Sequence, residues 1–193
     1  MSKIRLIVGL GNYEEKYLQD RHNVGFMVID ELFNNLPNKS SLNWQNKFNG
    51  RLTIFDNPYQ DSSLAEKIIL LKPWSFMNLS GQPVQAVMSY YKIPPENVIV
   101  VHDELDLDPG KLKLKFAGGT AGHNGLKSIS QAIGVNYWRI RIGIGHPGSR
   151  EQVASYVLSK PLKDELGLLD SAIQLLSKKQ ESIMTAKLSS IQL

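Results

Sequence analysis

Val98-Ile99-Val100-Val101 runs without a polar break into His102-Asp103-Glu104-Leu105-Asp106, and this junction decides the fold. A short, continuous, β-branched apolar run is the mark of a strand buried on both faces, as in a parallel sheet. Three other segments repeat the plan. Lys3-Ile4-Arg5-Leu6-Ile7-Val8 ends in Gly9-Leu10-Gly11-Asn12, and Lys67-Ile68-Ile69-Leu70-Leu71 ends ahead of Pro73-Trp74-Ser75-Phe76-Met77-Asn78. Trp138-Arg139-Ile140-Arg141-Ile142-Gly143-Ile144 ends in Gly145-His146-Pro147-Gly148. Ligands of open α/β sheets bind beyond the carboxyl ends of the strands, so polar residues gathered there are the expected place for an active site.

Helical patterns separate these runs, which predicts an α/β fold with βαβ units: one twisted, mixed, largely parallel sheet flanked by helices. Val24, Val28, Leu32 and Leu36 recur at helical spacing, with Pro37 just beyond. Ser80 is the expected N-cap of a second helix carrying Val84, Val87, Met88 and Tyr91, closed by Pro94-Pro95. Leu126, Ile129 and Ile133 mark a third helix stopped by Gly134, and Leu166, Leu169, Ile173 and Leu176 mark a last one. Phe48 to Phe55 reads as an edge strand, and Lys111 to Phe116 as a half-buried one. With no repeat or linker, residues 1–193 are expected to form one domain, its tail fraying from about Lys178.

The chain has no cysteine, which excludes disulfides and thiolate chemistry. Its apolar stretches are too short to span a bilayer, and no signal-peptide pattern precedes the first strand, so a cytoplasmic protein without a membrane partner is expected. A net charge of +4 leans towards an anionic partner.

Gly9-Leu10-Gly11 is not a dinucleotide fingerprint, because Glu14 stands where the third glycine belongs. No P-loop and no Gly-x-Ser-x-Gly elbow is present. The four histidines show no close helical pairing, and no metal is expected. His102 and His146 read as hydrogen-bonded structural residues. His22 differs: it lies at a helix start after the first strand, where it faces the other strand ends. Asp103, directly after a buried strand, can orient its imidazole and leave the second nitrogen to take a proton from water. Asn12, Asn78 and Asn124 lie on three converging loops, and an amide can hold an amide or stabilise a developing oxyanion. No serine or cysteine accompanies them, which points to an attacking water. Lys111, Lys113 and Lys115 on one strand, and Arg139 and Arg141 on another, form basic stripes beside a glycine-rich loop that would suit phosphates.

At these residues the chain resembles the bacterial-type peptidyl-tRNA hydrolase family. The likeness is carried by Val8-Gly9-Leu10-Gly11-Asn12, Tyr17 with Arg21-His22-Asn23, and Phe76-Met77-Asn78-Leu79-Ser80-Gly81. It continues through His102-Asp103-Glu104-Leu105-Asp106, Gly122-His123-Asn124-Gly125-Leu126-Lys127 and Arg141 to Gly148. The resemblance implies hydrolysis of the ester between a peptide and tRNA, by a monomer without a cofactor. It implies His22 as general base, Asp103 as its orienting partner, and Asn12 as the group that tells N-blocked from free aminoacyl ends. It further implies Tyr17, Phe76, Met77, Asn78, His123 and Asn124 along the substrate groove, and Lys113, Lys115 and Arg141 at tRNA phosphates. The chain departs from the family pattern at Tyr13-Glu14, where Pro-Gly is usual, at Ala121, where glycine is usual, and at Trp74. Two other classes compete: a catalytically silent RNA-binding protein, which would not need the His22–Asp103–Asn set, and a small-molecule hydrolase or peptidase, which would not need lysine-striped strands.

Overall fold

The computed structural model describes residues 5–61 and 65–188. Strand β1 (Leu6–Gly9) is followed by helix α1 (Val24–Asn34), the hairpin β2 (Gln45–Lys47) and β3 (Gly50–Asp56), then β4 (Lys67–Pro73). Helix α2 (Gly81–Tyr91), strands β5 (Val98–Glu104) and β6 (Leu112–Phe116), helix α3 (Asn124–Ile133) and strand β7 (Trp138–Gly143) come next. Helices α4 (Val153–Val157), α5 (Lys163–Lys178) and α6 (Gln180–Met184) close the chain.

The sheet runs β2-β3-β4-β1-β5-β7-β6. The contiguous apolar runs form its parallel centre, β4-β1-β5-β7, while β2, β3 and β6 pair antiparallel at the flanks. Each central strand buries side chains on both faces. Ile7, Ile68, Leu70, Ile99, Val101, Ile140 and Ile142 pack with α1, α5 and α6; Leu6, Val8, Ile69, Leu71, Val98 and Val100 pack with α2 and α3. From β1 the chain steps to β4 on one side and then, through α2, to β5 on the other. The strand order therefore switches at β1, which opens a crevice beyond the carboxyl ends of these strands. No helix among the described residues is long and apolar enough to cross a membrane.

The glycines at the end of β1 serve close packing. A Cβ on Gly9 would stand 2.2 Å from the Gly25 carbonyl oxygen, and one on Gly25 would stand 2.4 Å from the Leu10 nitrogen. Helix α1 thus lies directly on β1, bringing the 3₁₀ turn Arg21–Asn23 at its start onto the strand ends.

Four local expectations are corrected. The segment 48–55 is not the edge: β3 pairs on both sides, and β2 is the outer strand, turned back through Phe48 and Asn49, both at positive φ as a two-residue hairpin requires. Ser80 does not cap α2, for its hydroxyl donates to the Met77 carbonyl; the Gly81 N–H is instead satisfied by Ser128 Oγ of α3. Leu166 is exposed, and the buried stripe of α5 is Leu169, Ala172, Ile173 and Leu176. The tail is ordered beyond Lys178: α6 follows, and Ile183, Met184 and Leu188 join the core, with Asn57 donating to the Met184 carbonyl. Residues 189–193 lie outside the described part.

Candidate active site

The end of β5 brings Asp103 to the crevice while keeping it buried. His22 Nδ1 lies 2.9 Å from each oxygen of this carboxylate, and His123 Nε2 lies 2.8 Å from Oδ1. The second nitrogen of His123 settles its tautomer. Nδ1 accepts the backbone N–H groups of Gly125 and Leu126, at 3.1 and 3.3 Å, as the N-cap of α3. It carries no proton, so the ring proton sits on Nε2 and is donated to Asp103. The carboxylate faces two imidazole N–H groups, and His22 with Nδ1 protonated keeps a lone pair on Nε2.

Burial alone would lower the His22 pKa, but the charge of Asp103 and the hydrogen bond to it outweigh burial and leave it raised. Burial likewise favours a protonated Asp103, yet the two imidazoles hold its carboxyl well below the usual range. His102 is fully buried, its pKa pushed down to about 3 by burial and by the neighbouring His123. Its Nδ1 donates to the Asp103 carbonyl at 2.7 Å, in keeping with a structural role. His146 is exposed and accepts the Gly148 N–H.

A cavity of about 430 Å³ opens beside the pair, lined among others by His22, Asp103, His123, Asn124, Lys127 and Arg150. Asn12, Tyr17, Phe76, Met77 and Asn78 are not in its wall. Asn12 is clasped twice by Asn23: Asn23 Oδ1 accepts the Asn12 N–H and Asn23 Nδ2 donates to the Asn12 carbonyl, both at 2.9 Å. Asn12 Oδ1 in turn accepts the Met77 N–H at 2.9 Å. Asn78 and Asn124 are exposed at the starts of the turn after β4 and of α3. Tyr17, half-buried in the 3₁₀ turn Glu15–Tyr17, stands under the Lys16 ammonium.

The basic stripes divide. Lys113 and Arg141 are opposite each other across β6 and β7, as are Lys115 and Arg139. Both lysines are exposed, but Arg141 pairs with Glu104 at 2.9 Å. Arg139 is buried, and its guanidinium donates to the Gly118 and Gly119 carbonyls, clamping the glycine-rich loop. It is not part of a phosphate-facing stripe. That loop holds Ala117 and Ala121 at positive φ, 58° and 47°.

Arg21, part of the Arg21-His22-Asn23 motif but given no role by it, is a further structural residue. Buried beside His22, it donates to the Ser159 and Lys160 carbonyls and to Ser159 Oγ, pairs with Glu165, and lies 4.1 Å from the Tyr156 ring centre. It moors the His22 turn to the segment joining α4 and α5. Its one sequence signal is a charge flanked by residues already of interest.

Fold and side chains together define an α/β protein whose imidazole–carboxylate pair stands at the switch point of a largely parallel sheet. The peptidyl-tRNA hydrolase family model matches residues 6–192. The chain is 49% identical over 174 residues to a peptidyl-tRNA hydrolase of Nitrosomonas europaea, covering 88% of this chain and 84% of the relative. It is 50% identical over 162 residues to one of Rhodospirillum centenum, covering 84% and 67%. The crystal structure of peptidyl-tRNA hydrolase from Acinetobacter baumannii superposes with a TM-score of 0.89 at 40% identity, covering 98% of this chain and 92% of that one. The chain belongs to the peptidyl-tRNA hydrolase family.

Proposed function

We propose that this protein hydrolyses the ester joining a peptide, or an N-blocked amino acid, to tRNA, with His22 as general base. The observation that carries the reading is the doubly bridged Asp103: its carboxylate keeps a proton on His22 Nδ1 and leaves Nε2 to take one from water. The water oxygen bonds to the ester carbonyl carbon as its proton passes to Nε2. The tetrahedral intermediate then expels the tRNA ribose oxygen, which takes that proton back, and the peptide leaves as a carboxylic acid that loses the water's remaining proton to solvent.

Asn124, exposed in the cavity beside the pair, and Asn78, exposed on the turn after β4, serve to hold the substrate and the developing oxyanion. Asn12 has spent its side-chain oxygen on Met77, so what it offers the substrate is an N–H donor. A donor suits the carbonyl of an acylated amine and not a free ammonium, which gives a physical basis for preferring N-blocked substrates. Lys113 and Lys115 meet tRNA phosphates, with Arg141 contributing less because of Glu104. Tyr17, Phe76, Met77 and His123 complete the set, His123 through Asp103 rather than by touching substrate.

His22, Asp103 and His123 are close enough to suggest a metal site. The donor set does not suit one. A metal on His123 Nε2 would displace the ring's only proton, because Nδ1 already accepts two N–H groups, and would leave an imidazolate. On this reading the reaction runs without a cofactor, in a monomer acting in the cytoplasm.

The test is release of N-acetyl-amino acid from charged tRNA, with the unblocked aminoacyl-tRNA in parallel. Rapid release from the blocked substrate alone is expected. Tight tRNA binding with no release would make the chain an RNA-binding protein. Salt-independent cleavage of small esters would make it a small-molecule hydrolase.

A further inference from the structure

On the side of the pair away from Lys113 and Lys115 stands an aromatic wall of which the reading above uses only Phe76. Tyr13 follows Asn12; its ring meets Phe76 edge-on at 5.3 Å between centroids and tilts against Trp74 at 6.3 Å. Trp74 lies parallel to Phe26, 6.2 Å away, with the Arg51 guanidinium 5.8 Å from its ring centre. Phe26 is buried, yet Trp74 and Phe76 keep 38% and 44% of their surface open to solvent. Rings that fix one another's orientation and still present open faces make a preorganised apolar surface.

The strand order tells which part of the substrate reaches it. His22 and Asp103 stand over β1 and β5, and the exposed lysines lie on β6 at one edge of the sheet. Tyr13 follows β1 itself, Trp74 and Phe76 follow β4, and Arg51 belongs to β3, so the wall extends from the pair towards the opposite edge. An ester held at the pair with its tRNA running over β7 and β6 must direct its peptide over β4 and β3. The wall is also continuous with the site: Asn12 accepts the Met77 N–H, and Tyr13 and Phe76 are the chain neighbours of those two residues.

We propose that Tyr13, Trp74 and Phe76 form a peptide-side subsite for an aromatic or bulky apolar side chain on one of the last two residues of the peptide. It makes this hydrolase selective by peptide sequence, and it rests on the reading of peptidyl-tRNA as substrate. Tyr13 and Trp74 are also positions at which the chain departs from the family pattern, so the selectivity belongs to this chain.

One tRNA body acylated with N-acetyl-Ala-Xaa or N-acetyl-Xaa-Ala, Xaa being Phe or Gly, tests the subsite. Phe in one of the two positions should raise kcat/KM about tenfold over Gly, mainly through KM, as expected for partly covering one aromatic side chain. Trp74→Ala and Tyr13→Ala should each draw the Phe/Gly ratio towards one, and Tyr13→Phe should preserve it. A ratio near one at both positions in the unmodified protein overturns the proposal without recourse to any variant. So does a ratio that survives both alanine substitutions. An equal rise in KM for Phe and Gly substrates would assign the wall to a tRNA base, again overturning it. Failure to release any of the four peptides would instead refute the hydrolase reading itself.

Discussion

The cluster at the ends of β1 and β5 and the basic face of β6 and β7 both gather charged and titratable groups, and they spend them in opposite ways. In the cluster, His22 and His123 both turn towards Asp103, and His123 commits its remaining nitrogen to the α3 backbone. On the basic face four cations alternate along two strands and meet different fates. Arg139 is buried against the glycine-rich loop, Arg141 is paired with Glu104, and Lys113 and Lys115 are exposed, with no ion pair among the described residues. A strand pattern tells which face a cation occupies. Whether its charge remains available for a phosphate depends on what a distant segment places beside it.

The largest effect expected is on the inward-facing cluster. His22→Ala should lower turnover by about 10²–10⁴-fold, the usual contribution of general-base catalysis, with tRNA binding and fold nearly intact. Near-normal turnover would break the contrast at once, for the cluster would then be structural.

Asp103→Asn should lower kcat with little change in KM, and it carries a pH signature. His22 is raised above its ordinary value because Asp103 outweighs burial, so kcat/KM of the unmodified enzyme should fall as pH drops through a point above 6.5. With the carboxylate gone, burial is opposed only by the weaker charge of Asp20, the imidazole pKa falls, and the acid limb should move to lower pH. A pH–rate profile in which that limb stays in place would exclude Asp103 as the partner that tunes the base.

The outward face is sharpened by salt. Lys113→Ala with Lys115→Ala should raise KM and flatten its log–log salt dependence by about two units, since each phosphate contact is worth up to about 0.9. Adding Arg141→Ala should change the slope by clearly less than one further unit, Glu104 having already neutralised it. KM measured over a potassium chloride series decides this; three equal increments would show that the Glu104 pair opens on binding.

The smallest effect concerns the loop between the two regions. Ala121 is held at φ 47°, a conformation that costs a residue with a Cβ about 1 kcal/mol. Ala121→Gly should therefore raise unfolding free energy by roughly 0.5–1 kcal/mol, less whatever the freer unfolded chain takes back. Denaturant unfolding of both proteins would measure it, and a loss of stability would mean that the loop's strain is carried elsewhere.

Legibility followed the range of the interactions involved. The parallel strands are visible at Val98–Val101 and Ile68–Leu71 because burial on both faces leaves a continuous apolar run in the sequence itself. The hairpin turn is harder to place: Asn49-Gly50 is a turn-forming pair, but the two positive-φ positions are Phe48 and Asn49, with Gly50 already the first residue of β3. Ser80 matched a cap by type and position but lost that role to Ser128, a residue from another helix. The tail looked unpatterned because α6 is short, and its Ile183 and Met184 are buried by contacts with the far end of the core.

By itself, then, the sequence determined the α/β class and marked the strand ends as the place where His22, Asp103 and Asn124 gather. These follow from periodicity and composition, which act over a few residues. Only the tertiary structure decided that His123 belongs to Asp103 and that Arg139 and Arg141 are largely spent within the fold. It alone gathered Tyr13, Trp74 and Phe76 into one wall. Each of those outcomes depends on groups brought together from separate loops and strands, and such juxtapositions exist only once the sheet has set its order.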